Sequence, residues 1–170
     1  PKAVTAVLTG AGISVAGLQM QTLFKHPLAG PSVLGISHGA SLGVAVFVLS
    51  STTVLGISTN LQETMGSWGL VLFAVSGSFL VLLSVLFASA RLSDSVSVLI
   101  VGLMFGFITG AIVSILQYFS DPELIQNFLV WTFGSLAGAS WSQLWVMGPI
   151  IVLALLLSIM CFKQMNALLL

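Results

Sequence analysis

The sequence predicts an all-α fold, a polytopic transmembrane bundle of five spanning helices with one short interfacial helix. Three observations predict it. Hydrophobic residues make up 58% of the chain and charged residues only 5%, with a mean hydropathy of +1.18. Soluble domains carry about 25% charged residues, so this composition cannot supply a polar shell. Apolar runs recur along the chain, each close to the ~20 residues that a helix needs to cross the hydrocarbon core. The formal charges, Lys+Arg 4 and Asp+Glu 4, all fall between those runs. Barrel strands are shorter and alternate in polarity, which these runs do not.

The first span covers about residues 3–23 and stops at Phe24-Lys25-His26-Pro27. The second covers about 32–57, with His38 near its start as the one titratable side chain of note within a span. The third covers about 68–90 and ends at Arg91; the fourth covers about 96–118 and precedes Ser120-Asp121-Pro122. The fifth covers about 144–162 and ends at Lys163. Between the fourth and fifth, Glu123, Gln126, Asn127, Trp131 and Trp141 are too polar for a span. Pro122 suits the first turn of a helix capped by Ser120 or Asp121, and tryptophan favours the headgroup level. A short interfacial helix within 121–133 is expected, then a Gly-rich turn through Gly134 and Gly138.

Five spans put the two ends on opposite sides. Lys25, Arg91 and Lys163 share one side and Lys2 has the other. Basic residues favour the cytoplasm, so the N-terminal end is expected outside and the C-terminal end inside, with Glu63, Asp121 and Glu123 outside. The chain starts at Pro1 without a signal-peptide pattern and stops within an apolar run, which reads as part of a longer protein.

Zero net charge argues against nucleic acid, because a phosphate backbone needs a basic patch. A single Cys161 excludes an intrachain disulfide and a Cys-rich metal site. Glycine recurs every fourth residue at Gly35, Gly39 and Gly43 and again at Gly102, Gly106 and Gly110. On helices this spacing makes smooth stripes that let backbones approach; packing is the default reading and lining a path the other. Gly35-Ile36-Ser37-His38-Gly39 matches the G-x-S-x-G serine-hydrolase pattern. It lies at a helix start rather than on a strand-to-helix elbow, and adjacent residues on a helix point ~100° apart. An intramembrane hydrolase using Ser37 is therefore the weaker alternative. No Walker loop or carboxylate cluster is present, so no ATP hydrolysis and no metal site is expected on this chain. The spans also lack the buried Asp, Glu or Lys of an ion-coupled secondary transporter, the remaining alternative. Transport would then draw its energy from a partner.

The run from Gly10 to Gly17, then Gln21-Thr22-Leu23-Phe24-Lys25-His26-Pro27-Leu28-Ala29-Gly30-Pro31 and Leu34-Gly35-Ile36-Ser37-His38-Gly39-Ala40, resembles the FecCD permease family. Trp131, Gly134-Ser135-Leu136 and Trp141 resemble a later stretch of that family. His26 departs from the asparagine usual before Pro-Leu-Ala. The resemblance covers the chain in order. It implies the membrane subunit of a type II ABC importer for iron–siderophores, haem or cobalamin, with this chain covering about helices two to six of ten.

The same resemblance implies the partners: a second permease copy in a homodimer, a cytoplasmic ABC ATPase dimer holding ATP and Mg²⁺, and a periplasmic or lipid-anchored substrate-binding protein. It places the protein in the bacterial inner membrane. It implies that Lys2 docks the binding protein, that Ser95 and Val96 stand at a cytoplasmic gate, and that the fourth span lines the path. Gln164, Met165, Asn166, Ala167 and Leu168 would approach the helix that couples to the ATPase.

Overall fold

The computed structural model describes residues 1–49, 59–90, 92, 94–136, 138 and 140–169, with backbone alone for 59–65 and 161–169. The described residues form helices: α1 Lys2–Phe24, α2 Ile36–Leu49, α3 Thr59–Ser89, α4 Ser95–Tyr118, α5 Pro122–Phe133 and α6 Trp141–Leu169. Among them, four stretches are long and apolar enough to cross a membrane: Lys2–Phe24, Gly66–Ser89, Ser95–Tyr118 and Trp141–Met160. The expected span at 32–57 corresponds to the 14-residue α2, about 21 Å at ~1.5 Å per residue, and 50–57 lie outside the described residues. Two compact units result, Pro1–Gly30 with Ser135–Leu170, and Pro31–Gly134.

In the larger unit α2 is the central element, packed by α3, α4 and α5. Gly39, Gly43, Val44, Ala45, Phe47, Val48 and Leu49 are all buried. A helix apolar all round is stable when it is covered all round. Its C-terminal half forms a cluster with Val113 of α4 and Phe128 of α5, and the Phe47 and Phe73 rings lie 4.9 Å apart. The Ser120 hydroxyl donates to the carbonyls of Leu49 (3.3 Å) and Leu116 (2.5 Å), tying the far ends of α2 and α4 together.

Several boundaries differ from the sequence expectation. The helix containing Glu63 begins at Thr59 and is broken at Gly66, whose φ of 49° and ψ of −136° are open to glycine but costly for other residues. Glu63 therefore stands in a helical segment ahead of the apolar span rather than in a loop. Asp121 takes the N-cap position of α5 with Pro122 behind it, but no side-chain hydrogen bond caps that helix. α6 starts earlier than the expected 144. Ser140 and Gln143 form a capping box, Gln143 N–H to Ser140 Oγ at 3.3 Å and Ser140 N–H to Gln143 Oε1 at 3.4 Å, satisfying two of the donors that a helix start leaves open.

The smaller unit pairs α1 with α6. Gly12 of α1 admits Ile151, whose Cγ2 would lie 3.6 Å from a Cβ there, and Gly148 of α6 faces Leu8. The Gln19 amide donates to the Ser158 hydroxyl, a polar tie between otherwise apolar helices. α1 ends in a Schellman motif: His26 N–H donates to the Gln21 carbonyl (3.2 Å) and Lys25 N–H to that of Thr22 (3.3 Å). Lys25 occupies the left-handed position at φ 49°, where glycine is the usual choice. The Gln21 side chain then donates to the Pro27 carbonyl at 3.0 Å and holds the turn that follows.

Candidate functional site

The local sequence around α2 produces an unusual arrangement. Pro31 to Gly35 form a turn closed by Gly35 N–H to the Ser32 carbonyl at 3.2 Å. Gly35 has φ +73°, and a Cβ on it would meet the Gly102 carbonyl oxygen at 2.9 Å. Two independent constraints, backbone conformation and space, thus require glycine there. The turn redirects the chain into α2 with Leu34 buried against the Gly102 backbone of α4.

The two glycine stripes fit into each other's neighbours. A Cβ on Gly39 would lie 2.7 Å from the Gly77 carbonyl oxygen, and one on Gly43 would coincide with the Phe73 carbonyl of α3. Gly102 admits Leu34, at 2.8 Å from a Cβ position to its Cα, and Gly106 admits the imidazole of His38, with Nδ1 at 3.2 Å. The buried residues of α4, Leu99, Gly102, Gly106, Thr109 and Val113, share this inward face. Thr109 satisfies its buried hydroxyl by donating to the Phe105 and Gly106 carbonyls, each at 2.9 Å. Five of the six stripe glycines thus serve helix packing, and Gly110 meets nothing within 4 Å.

These contacts fix depth. Within the larger unit Gly106 stands at the midpoint of the 24-residue α4, and Gly77 at that of Gly66–Ser89. α2 begins level with Gly102–Gly106 of α4 and with Val81 of α3, one turn before it meets Gly77. Beyond its start α4 continues for roughly 10–16 Å and α3 for roughly 12 Å. α2 therefore begins well within the length of its neighbours, and Pro31–Gly35 is non-helical backbone at that depth. Such backbone is tolerated where protein buries it or where it borders water. The sequence expectation placed His38 near the cytoplasmic end of a full span; the structure places it at the middle of α4. The difference arises because apolar runs show length and not where a helix starts relative to its partners.

The imidazole of His38 is exposed and makes no hydrogen bond among the described residues. Ser37, also exposed, makes none with it, so no serine–histidine dyad forms. Among the described residues no group of His, Cys, Asp or Glu could hold a metal ion. The outward face of α4 is apolar, with Ile100, Leu103, Met104, Phe107 and Ile108 exposed.

The other sequence-derived candidates stand at the ends of their helices. Lys2 is the exposed first residue of α1. Ser95 and Val96 open α4, both exposed, and the neighbouring Ser97 hydroxyl donates to the Asp94 carboxylate at 3.3 Å. Gln164, Met165, Asn166, Ala167 and Leu168 continue the backbone of α6 to Leu169, and their side chains lie outside the described residues, as does Arg91. Sequence reasoning missed Gly77 and Val81, which receive the stripe of α2. Gly77 is a lone glycine between Ser76 and Ser78 and carries no periodic signal. It also missed the Ser140–Gln143 box, which the S-x-x-Q spacing does reveal.

Comparison with known proteins bears on the whole chain. The model of the FecCD transport family matches residues 1–170. The chain is 34% identical over 165 residues to the vitamin B12 import system permease protein BtuC of Salmonella paratyphi A, covering 96% of this chain and 47% of the relative. It is 34% identical over 170 residues to the protein of that name from Escherichia coli O157:H7 (strain EC4115 / EHEC), covering 99% and 48%. A metal-chelate type ABC transporter solved in an inward-facing conformation superposes with a TM-score of 0.83 at 25% identity, over 99% of this chain and 50% of that one. The chain thus spans about half the length of the relatives it matches. With the family model matched from end to end and the helices superposing on a solved transporter, the chain belongs to the FecCD transport family.

Proposed function

We propose that this chain forms part of the permease of an ATP-driven importer that carries a metal chelate, an iron–siderophore first and haem or cobalamin next, across the bacterial inner membrane. The family match over residues 1–170 carries the reading. The absence of Asp, Glu, Lys and Arg from the middle of the spans supports it. A large chelate slides along so weakly polar a path rather than binding tightly, and selectivity then rests with an external binding protein. The energy source is a partner ABC ATPase dimer that holds ATP and Mg²⁺, working on a pair of permease copies.

In this reading the N-terminal end of the chain faces outward, where Lys2 meets acidic groups of the binding protein. Ser95 and Val96 lie on the cytoplasmic side at the mouth of the path. The segment from Gln164 to Leu168 leads to the ATPase contact. ATP closure of the ATPase dimer moves that contact, and the permease halves alternate between outward and inward openings.

The test is co-purification and uptake with the full-length subunit. A stable complex with an ABC ATPase and loss of chelate uptake on deletion are expected. A subunit that purifies alone, from cells whose chelate uptake survives its deletion, would refute the importer reading. Uptake measured in parallel for ferric siderophores, haem and cobalamin assigns the cargo.

A further inference from the structure

Resting on the transport reading, we infer that His38, with Ser37 beside it, lines the aqueous path at the middle of the membrane and touches the cargo there. The carrying observation is a mismatch between depth and chemistry. Gly106, against which the imidazole lies, is the midpoint of α4, so His38 sits halfway along a helix of membrane-spanning length. At that depth its side chain is nevertheless exposed, and it has no hydrogen-bond partner among the described residues.

Hydrocarbon cannot satisfy either ring nitrogen, and ionisable side chains within spans face a bundle interior or a water-filled cavity. Ser37 is exposed as well, so two adjacent polar side chains open at the same level. At Phe87, in the last turns of α3, the exposed side chain is apolar instead, 88% exposed.

Gly106 gives His38 its position. A Cβ there would lie 3.2 Å from Nδ1, so the glycine leaves the space that the ring occupies beside α4. An imidazole so held can donate or accept a hydrogen bond. The matching groups on a metal chelate are the carboxylate, carbonyl or hydroxamate oxygens at its rim.

The full-length protein in membranes tests this. In a background with every cysteine of the full-length protein, Cys161 included, replaced by serine, His38→Cys, Ser37→Cys and Phe87→Cys are treated with a permanently charged methanethiosulfonate. The positions 37 and 38 should react at least ten-fold faster than position 87, and Ser37→Cys decides if His38→Cys fails to insert. In uptake assays His38→Leu should raise KM at least three-fold with kcat within two-fold, and His38→Gln should recover most of the change. Labelling of both cysteines no faster than position 87, or a KM unmoved by His38→Leu, overturns the inference. If the parental protein carries no chelate while position 38 labels fast, the importer reading fails and the aqueous placement of His38 stands.

Discussion

Replacing Gly77 by alanine should separate α2 from α3, and the cost can be worked from the contacts. A Cβ at Gly77 would lie 2.8 Å from the Gly43 nitrogen, 2.9 Å from the Gly43 Cα and closer still to the Gly39 carbonyl oxygen. All three are backbone atoms, so no rotamer change relieves the overlap. The helices must move apart by about 1 Å to restore ordinary contact. A gap of ~0.5–1 Å forfeits a quarter to a half of each dispersion contact along the interface, and overpacking of this kind costs about 1–3 kcal/mol, occasionally more. Because the clash is with backbone, about 3 kcal/mol is expected for Gly77→Ala. Gly110→Ala is the control: the same chemical change on α4, with nothing within 4 Å. It should be neutral or stabilising by up to about 0.5–1 kcal/mol, since glycine is the poorer helix former. Thermal unfolding of the full-length protein in detergent, followed by size-exclusion recovery after heating, measures both. If Gly77→Ala melts with the parent, or Gly110→Ala loses as much as Gly77→Ala, the reading of the stripes as a backbone contact is wrong.

Other substitutions test separate parts of the structure. Gly35→Ala should destabilise by more than an ordinary Gly→Ala change, because both φ +73° and the 2.9 Å approach to the Gly102 carbonyl oppose it; melting temperature against Gly110→Ala reads the excess. Lys25→Gly should stabilise by about 0.5–1 kcal/mol by removing a side chain from a left-handed position, seen as a higher melting temperature. Ser140→Ala should cost about 1 kcal/mol by opening the capping box of α6, with greater hydrogen exchange in the first turn of that helix. A double-mutant cycle on Gln19→Ala and Ser158→Ala should show a coupling near 0.6 kcal/mol, typical of hydrogen bonds between membrane helices; zero coupling would mean the two side chains do not meet.

Much of the fold was legible because hydrophobic length is a one-dimensional quantity. The apolar runs at 96–118 and 68–90 correspond to α4 at Ser95–Tyr118 and to the span Gly66–Ser89. Asp121-Pro122 announced α5, since proline fits the first turn of a helix and few other helical places. The Gly35, Gly39, Gly43 and Gly102, Gly106 spacings announced close helix contacts, but not which helices meet. Gly77, the partner of the first stripe, is a single residue without a periodic neighbour. The candidates at Lys2, Ser95 and Val96 came from family resemblance, and Ser95 and Val96 stand at the start of α4 rather than at the α2 entry.

The sequence alone determined that the chain is helical and built for a bilayer, because composition and the spacing of charges set the cost of every alternative. Tertiary structure alone decided where α2 begins. A 14-residue helix and a glycine turn are local features, but their level relative to Gly77 and Gly106 is a distance between chain segments far apart in sequence. Backbone approach at those glycines sets that level, and with it the placement of His38 halfway along α4. No pattern along the chain encodes it, because the energy that selects it comes from contacts between helices rather than within one.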